Sequence, residues 1–490
     1  MDSTTSNFGK TWITPDRLLL GGVLLAALIV RGGALWALRG NLDGDPDAYR
    51  QIAENLLRHG VFAMGDSDDP PPPTAFRPPL YPIVLSNLPD ASGHNVSLGK
   101  VAVLHVLLGV ATVWLTWLVA RRVGSARASS AGPPLAGQAS DGGPAAADHR
   151  SAAVPALSHP TIAALLVACD PILLNQQSLV MTETLATFLA VLALWCLARF
   201  SERPSWFWAG LSGGAIGLAA LCRPTFLPWL GLVGIAMVVI QNSDFRIQKC
   251  SAQARSWWAG LGVRLARALA LVAVAATVMS PWVIRNYRLF GEPIATTTHG
   301  GYTLMLANND SFYRWLREDQ TGLPWKSTPF DYRWEMETTV HEWLMTPESP
   351  MHRERRMDQL AYERAHTTIG QQPRMFALAC LYRVGQLWSP LPHRLTAEES
   401  MGRRLLRYAT CVWYCGVYAL AAVGLWRLRG KLLEPPWIYG LLLCLAFTAV
   451  HTFYWTNLRM RAPLMPFVAL VAAVVFAPSG VHGLRTRERP

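Results

Sequence analysis

Three carboxylates stand at alternate positions in the segment Asp43-Gly44-Asp45-Pro46-Asp47-Ala48-Tyr49. Gly44 and Pro46 make this a turn, so the acids are held close together at a bend in the chain. Carboxylates in that arrangement can accept a proton from a reacting hydroxyl or ligate a divalent cation. Further along, Ala75-Phe76-Arg77-Pro78-Pro79-Leu80-Tyr81-Pro82 holds one cation among prolines that fix its backbone. A guanidinium fixed in this way suits a phosphate, which it can grip with two parallel hydrogen bonds. Singly, each feature has a plain explanation: a solvated turn that caps a helix, and an arginine that snorkels to headgroups. Together in one loop they suggest a base and a phosphate-binding group at a membrane edge.

The surrounding elements are membrane elements. Of the 490 residues, 51% are apolar and only 16% charged, which does not suit a soluble multidomain chain, and the 20 Trp and 13 Tyr exclude a mostly disordered one. A bilayer core of about 30 Å needs roughly 20 apolar residues per helix. Ten apolar runs approach that, near residues 18–38, 99–120, 160–175, 182–199, 206–221, 224–241, 265–283, 405–426, 436–453 and 462–478. The break at Cys222-Arg223-Pro224 also allows one long interrupted helix across the fifth and sixth runs. The expected fold class is an all-α polytopic membrane protein of about ten transmembrane helices.

Orientation follows from the basic residues. With a cytoplasmic N-terminus, Arg121, Arg122, Arg199, Arg203, Arg264, Arg427 and Arg429 fall inside, as positive charge beside spans does. Residues 1–284 then form a transmembrane region that includes a first outer, catalytic loop at 39–98 and a flexible, Ala/Ser/Gly/Pro-rich cytoplasmic linker at 125–158. Residues 285–404 form an extracytoplasmic domain of mixed character, and 405–490 the C-terminal transmembrane helices with a cytoplasmic tail. The net charge of +12 lies between apolar runs, which argues against nucleic acid as its partner. Within the first outer loop, Asp47 is the expected N-cap of an interfacial helix with Tyr49, Ile52, Ala53, Leu56 and Leu57 on its apolar face. A second interfacial helix is expected around Met375 to Trp388.

Four more arginines flank spans on the expected outer side, Arg223, Arg285, Arg459 and Arg461. That runs against the usual bias, so an anion should hold at least one of them. Tyr49, Tyr81, Glu183 and His299 are further candidates for substrate contact. Glu183 also reads as a dipole partner at a helix start, and His299 as a surface histidine. Trp315, Trp325, Trp334, Trp343 and Trp388 either stack on sugars or build a small core. The eight cysteines form no metal spacing; Cys411 and Cys415 are four apart on a span, without a histidine nearby.

The order Asp-x-x-x-Tyr at Asp45–Tyr49, then Ile52-Ala53-Glu54-Asn55-Leu56-Leu57, then Arg77-Pro78-Pro79-Leu80-Tyr81-Pro82 resembles the first outer loop of GT-C glycosyltransferases. The resemblance is to the branch that holds bacterial protein O-mannosyltransferases and the aminoarabinose transferases of lipid A. Met181-Thr182-Glu183-Thr184, Gly210 to Gly217 with Leu221-Cys222-Arg223-Pro224, Ser280-Pro281-Trp282-Val283-Ile284-Arg285-Asn286-Tyr287, Gly300-Gly301-Tyr302 with Asn308-Asn309, and Arg459-Met460-Arg461-Ala462-Pro463 are similar as well. The resemblance implies an inverting transferase in the plasma (inner) membrane. It would move a sugar from a polyprenyl-phosphate carrier to an acceptor lipid, glycan or protein on the periplasmic or extracytoplasmic side. It implies Asp45 as base, with Asp47 the alternative because Pro46 replaces the family's second acid, and Arg77 as a contact to the carrier phosphate. No cofactor is required by this chemistry, and a divalent metal is left open. Asp-x-Asp also fits nucleotide-sugar transferases formally, but such donors are cytoplasmic and this loop is expected outside. The rival classes are a transporter or flippase of a lipid-linked substrate, which needs charged groups within its spans, where only Arg31 and Asp170 occur, and a noncatalytic envelope-assembly protein.

Overall fold

The computed structural model describes residues 15–65, 69–128, 158–240, 253–318, 323–344, 349–394, 396 and 398–477. All but the edges of the linker at 125–158 lies outside these residues. The described chain is helical throughout, with two isolated β-bridges, Ala63 to Pro73 and Pro89 to Val96.

The helices run in the order α1 (Pro15–Ala37), α2 (Tyr49–His59), α3 (Leu80–Ser86), α4 (Leu98–Ala128), α5 (His159–Ala168), α6 (Pro171–Gln176), α7 (Glu183–Glu202), α8 (Trp206–Cys222) and α9 (Phe226–Val239). They continue through α10 (Gln253–Phe290), α11 (Gly300–Ala307), α12 (Asp310–Glu318), α13 (Thr328–Leu344), α14 (Pro350–Gln371), α15 (Pro373–Trp388), α16 (Met401–Leu428), α17 (Trp437–Phe453) and α18 (Met465–Ala473). The apolar runs fall on helical segments, though not each on a single helix. Among the described residues, six helical segments are long and apolar enough to cross a membrane, and four apolar helices are shorter, at 10–17 residues. The chain is a multi-pass membrane protein. Buried positions make up 72% of the apolar window in α7 and 78% in the last, Leu458–Phe476, but 17% in α1 and α10. Thus α7 and α18 form the centre, and α1 and α10 present their side chains outward.

Two expectations change. The run at 160–175 is not one helix: Asp170 breaks it, and its carboxylate accepts from the Leu173 amide at 3.0 Å to cap α6, with Pro171 in the first turn. The runs at 206–221 and 224–241 are two helices as read, not one long interrupted helix, because Arg223 is extended (φ −149°, ψ 122°) between α8 and α9. The apolar face of α2 also differs in its partner. Tyr49, Ile52 and Ala53 are buried in the main core with Tyr81 and Leu85 of α3, so this face packs on protein rather than on lipid.

Close helix contact explains the Gly-rich stretch. A Cβ at Gly213 would lie 2.1 Å from the Leu271 carbonyl oxygen, and one at Gly217 3.0 Å from that of Ala275. These two small residues, four apart on one face, let α8 lie backbone to backbone on α10.

The charged residues inside the bundle are held by packing. Arg31 donates to Gln177 Oε1 at 3.2 Å and to the Val167 carbonyl at 2.8 Å. Asp170 accepts from the Tyr414 hydroxyl at 2.7 Å.

Candidate active site

Several connections meet at one end of the bundle. They follow the C-termini of α1, α8, α10 and α17, and they include the start of α7. From them comes an alternating chain of charges. Arg77 Nη2 is 3.1 Å from Asp47 Oδ1, and Arg459 Nη2 is 3.6 Å from Asp47 Oδ2. Arg459 Nε reaches Glu183 Oε1 at 3.5 Å, and Arg223 Nη1 reaches the same oxygen at 3.0 Å. Glu183 begins α7 and its side chain is 1% exposed, so its charge is balanced by two guanidinium groups and by the positive end of its helix. Tyr49 lies against this chain, with the Arg77 guanidinium 5.7 Å from the centre of its ring. Burial pushes the Tyr49 phenol up, so it is a neutral hydroxyl here.

The acids divide the work differently from the sequence expectation. Asp47 is not the cap of α2; that position is Ala48, whose φ of 58° turns the chain. Asp45 supplies the capping acceptor, its Oδ2 taking the Gln51 amide at 3.0 Å. The reason is the left-handed residue, which carries the Asp47 side chain round to face Arg77 and Arg459. Asp45 Oδ1 is buried without a hydrogen-bond partner among the described residues, whereas each oxygen of Asp47 faces a guanidinium. Asp43 is exposed, and its carbonyl accepts from Arg50.

His299 is at the other end of the chain of charges, and it is not a surface residue. Its Nε2 accepts from Arg77 Nη1 at 3.2 Å, and its ring lies between Phe76 and Tyr302, with centroids 4.3 and 5.2 Å away. Burial, reinforced by the Arg77 charge, holds its pKa well below the usual histidine range. The ring is therefore neutral and carries its proton on Nδ1, a buried donor without a partner.

Two of the four flanking arginines lie elsewhere. Arg285 donates to the carbonyls of Thr74 at 2.7 Å and Phe62 at 3.2 Å, and lies 4.8 Å from the Trp282 ring centre. It clamps the loop that carries Arg77. Arg461 is fully buried, donating to the Leu387 and Ser389 carbonyls and stacked 4.2 Å from the centre of the Tyr414 ring. Arg223 and Arg459 join the cluster; Arg285 and Arg461 hold the elements around it.

Three supporting residues escaped the sequence reading. Glu354 of α14 accepts from the Thr74 hydroxyl at 2.6 Å, the Ala75 amide at 2.9 Å and the Thr298 hydroxyl, tying the loops of Arg77 and His299 together. His105, inside α4, lies 2.8 Å from the Tyr81 hydroxyl and 2.8 Å from the Gln177 carbonyl oxygen. Gln177 completes this link to the buried Arg31. A lone histidine in an apolar run is the one available sequence signal; Glu354 gives none.

The cluster does not fit a resident divalent metal. Among the described residues no group of three or more His, Cys, Asp or Glu side chains could hold one. The places beside Asp47 and Glu183 that a cation would take are filled by guanidinium groups.

No family model matches the chain, and no curated protein matches it. Among solved structures it is similar to the oligosaccharyltransferase AglB from Archaeoglobus fulgidus in complex with an inhibitory peptide and a dolichol-phosphate. The identity is 15% and the TM-score 0.47, over 95% of this chain and 50% of that one. It is also similar to ArnT from Cupriavidus metallidurans in the apo state, at 13% identity and a TM-score of 0.37, over 95% of this chain and 78% of that one. ArnT bound to undecaprenyl phosphate gives 13% and 0.34, over 94% and 77%. The chain thus spans about half the length of the AglB structure.

Proposed function

We propose that this protein is an inverting membrane glycosyltransferase that moves a sugar from a polyprenyl-phosphate carrier to an acceptor hydroxyl or phosphate. The observation that carries the reading is the chain Arg77–Asp47–Arg459–Glu183–Arg223, beside which Asp45 keeps one buried oxygen free. In the proposed reaction the anomeric C–O bond to the carrier phosphate breaks as the acceptor oxygen bonds to the opposite face of the sugar. The phosphodiester, with one negative charge, leaves as a monoester with up to two. Three fixed guanidinium groups stabilise the charge that grows on the leaving oxygen, so no general acid is needed. Asp47 and Glu183 hold those groups apart and in place. Asp45 Oδ1 takes the acceptor proton.

The side of the membrane follows from charge. Arg121, Arg122, Arg199 and Arg427 lie toward the helix ends remote from the cluster, where Arg122 and Arg199 share Glu202 at 2.7 and 3.2 Å, and Arg264 lies in the half of α10 away from its cluster end. By the positive-inside rule that end is cytoplasmic and the cluster is extracytoplasmic.

The test is single-turnover transfer from a synthetic polyprenyl-phosphate sugar by the purified full chain, with the anomeric configuration of the product read by NMR. Inverted product from the wild type and its loss in Asp45→Asn support the reading. Retained configuration, or Asp45→Asn at wild-type rate, would sink it.

A further inference from the structure

A cavity of about 400 Å³ opens beside the cluster, lined among others by Phe76, Tyr302, Trp334, Thr338, Arg353 and Met357. Phe76 and Tyr302 are the two rings that enclose His299, so the cavity and the Arg77–His299 pair share a wall. On the other side of Trp334 lies a second cavity of about 470 Å³, lined by Asn309, Asp310, Arg333, Glu337 and Arg364 among others. Trp334 borders both. The two cavities are thus neighbours along α13 and α14, and a chain of sugar units passing Trp334 would use them as one track away from the proposed reaction centre.

We propose that this track binds the acceptor and that the acceptor is a saccharide of two or more units; this rests on the glycosyltransferase reading of the cluster. Each cavity is within the roughly 300–1,000 Å³ usual for small-molecule sites. Aromatic side chains interleaved with carboxylates, arginines and hydroxyls are the chemistry that recognises sugars: rings meet the C–H faces, and the polar groups meet the hydroxyls. A lipid tail would take water from those charged groups and offer them no hydrogen bond in return. A peptide docking by strand addition would need a strand edge, and the described residues contain only isolated bridges. The end of the saccharide over Phe76 and Tyr302 presents its hydroxyl to the cluster, where the unpartnered Nδ1–H of His299 can donate to it.

The experiment measures binding of the detergent-purified full chain to an array of neutral and anionic oligosaccharides and to a Ser/Thr-rich peptide, without donor. An oligosaccharide should bind, and Trp334→Ala should weaken it by about tenfold or more, the loss of one aromatic face. Trp334→Tyr, which keeps a ring, should retain most of the affinity. Because Trp334 also packs on a small core with Leu304 and Phe330, Thr338→Trp is the second variant. It fills the cavity from its wall and should abolish binding with Trp334 intact. Binding indifferent to Trp334→Ala and Thr338→Trp, no glycan bound, or the peptide bound in its place would each overturn the proposal. A wild type that consumes donor yet binds no glycan sinks the saccharide track alone. Glycan binding of the expected pattern in a protein that never consumes donor sinks the transferase reading instead.

Discussion

At Asp45 and Asp47, two residues of one type and two positions apart, the backbone decides which acid faces the arginines. Because Asp45 caps α2 through one oxygen, asparagine at this position retains an amide oxygen for Gln51 and loses only the proton acceptor. Asp45→Asn is expected to slow transfer by about 10² to 10⁴, the range for removal of a general base, while Asp43→Asn, at an exposed carboxylate, stays near wild type. Equal, mild losses at both positions in the turnover assay would make the acids a structural turn. Arg77 gives a different signature, since its charge matters most as the phosphate leaves. Lysine keeps that charge without the fork that spans Asp47 and His299, so Arg77→Lys should retain part of the rate and Arg77→Ala almost none. The rate should fall further than donor affinity, both measured on folded protein. Normal turnover by Arg77→Ala would transfer the phosphate role to Arg223 and Arg459.

The helices that support these residues can be tested by pairs of variants. At Gly213 a methyl meets the Leu271 carbonyl oxygen, whereas at Gly214 it would lie 3.8 Å from a Val274 methyl. Gly213→Ala should therefore destabilise the α8–α10 pair by about 1–3 kcal/mol, the usual cost of overpacking, with Gly214→Ala near neutral in thermal melts. If both behave alike, the close approach of the two helices is wrong. Between α11 and α14, burial raises the Asp358 carboxyl to about 6, although it accepts the Gly301 amide at 2.7 Å. A raised folded pKa gives stability that is fully present below the unfolded value of 3.8 and is lost as pH rises through about 6. Asp358→Asn keeps the acceptor without the charge. It should raise the melting temperature relative to wild type at pH 7.5 and leave it nearly unchanged at pH 4; the same difference at both would contradict this. The helices themselves were legible, because an apolar run of this length reports burial or bilayer directly. The cap of α2 was not, since it depends on Ala48 adopting a positive φ that nothing in its type requires. Nor could the sequence separate Arg223 and Arg459 from Arg285 and Arg461, which all sit beside apolar runs. Which of them meets a carboxylate and which a carbonyl is set by residues on other elements, for Arg285 and Arg459 more than two hundred positions away. His299 was misplaced for the same reason: one of the rings that enclose it, Phe76, comes from the first connection.

Over the whole molecule, the buried charges of the bundle serve to hold helices together. Arg31 is held by Gln177 and Val167, and Asp170 by Tyr414 and the cap of α6, so neither of these two groups is free to carry a transported charge. Topology is checked by single cysteines in a background without the eight native ones. Ser92→Cys and Glu335→Cys should react with a membrane-impermeant thiol reagent from outside, and Ser140→Cys only after lysis. Protection of Ser92→Cys in intact cells would put the cluster on the cytoplasmic face and exclude the proposed donor pool. Finally, the charged chain is anchored unequally. Arg223 stands in a three-residue turn between α8 and α9, and Arg459 in a short 3-10 helix that runs directly into α18. Arg77 and His299 ride instead on longer connections, tied chiefly through Glu354. On the proposed reaction, Arg223 and Arg459 meet the carrier phosphate from places set by the bundle itself, whereas Arg77 and His299 are placed by side-chain ties from Glu354 and Arg285. The lengths of chain between helices thus divide the cluster into a part fixed by the bundle and a part held by side-chain ties.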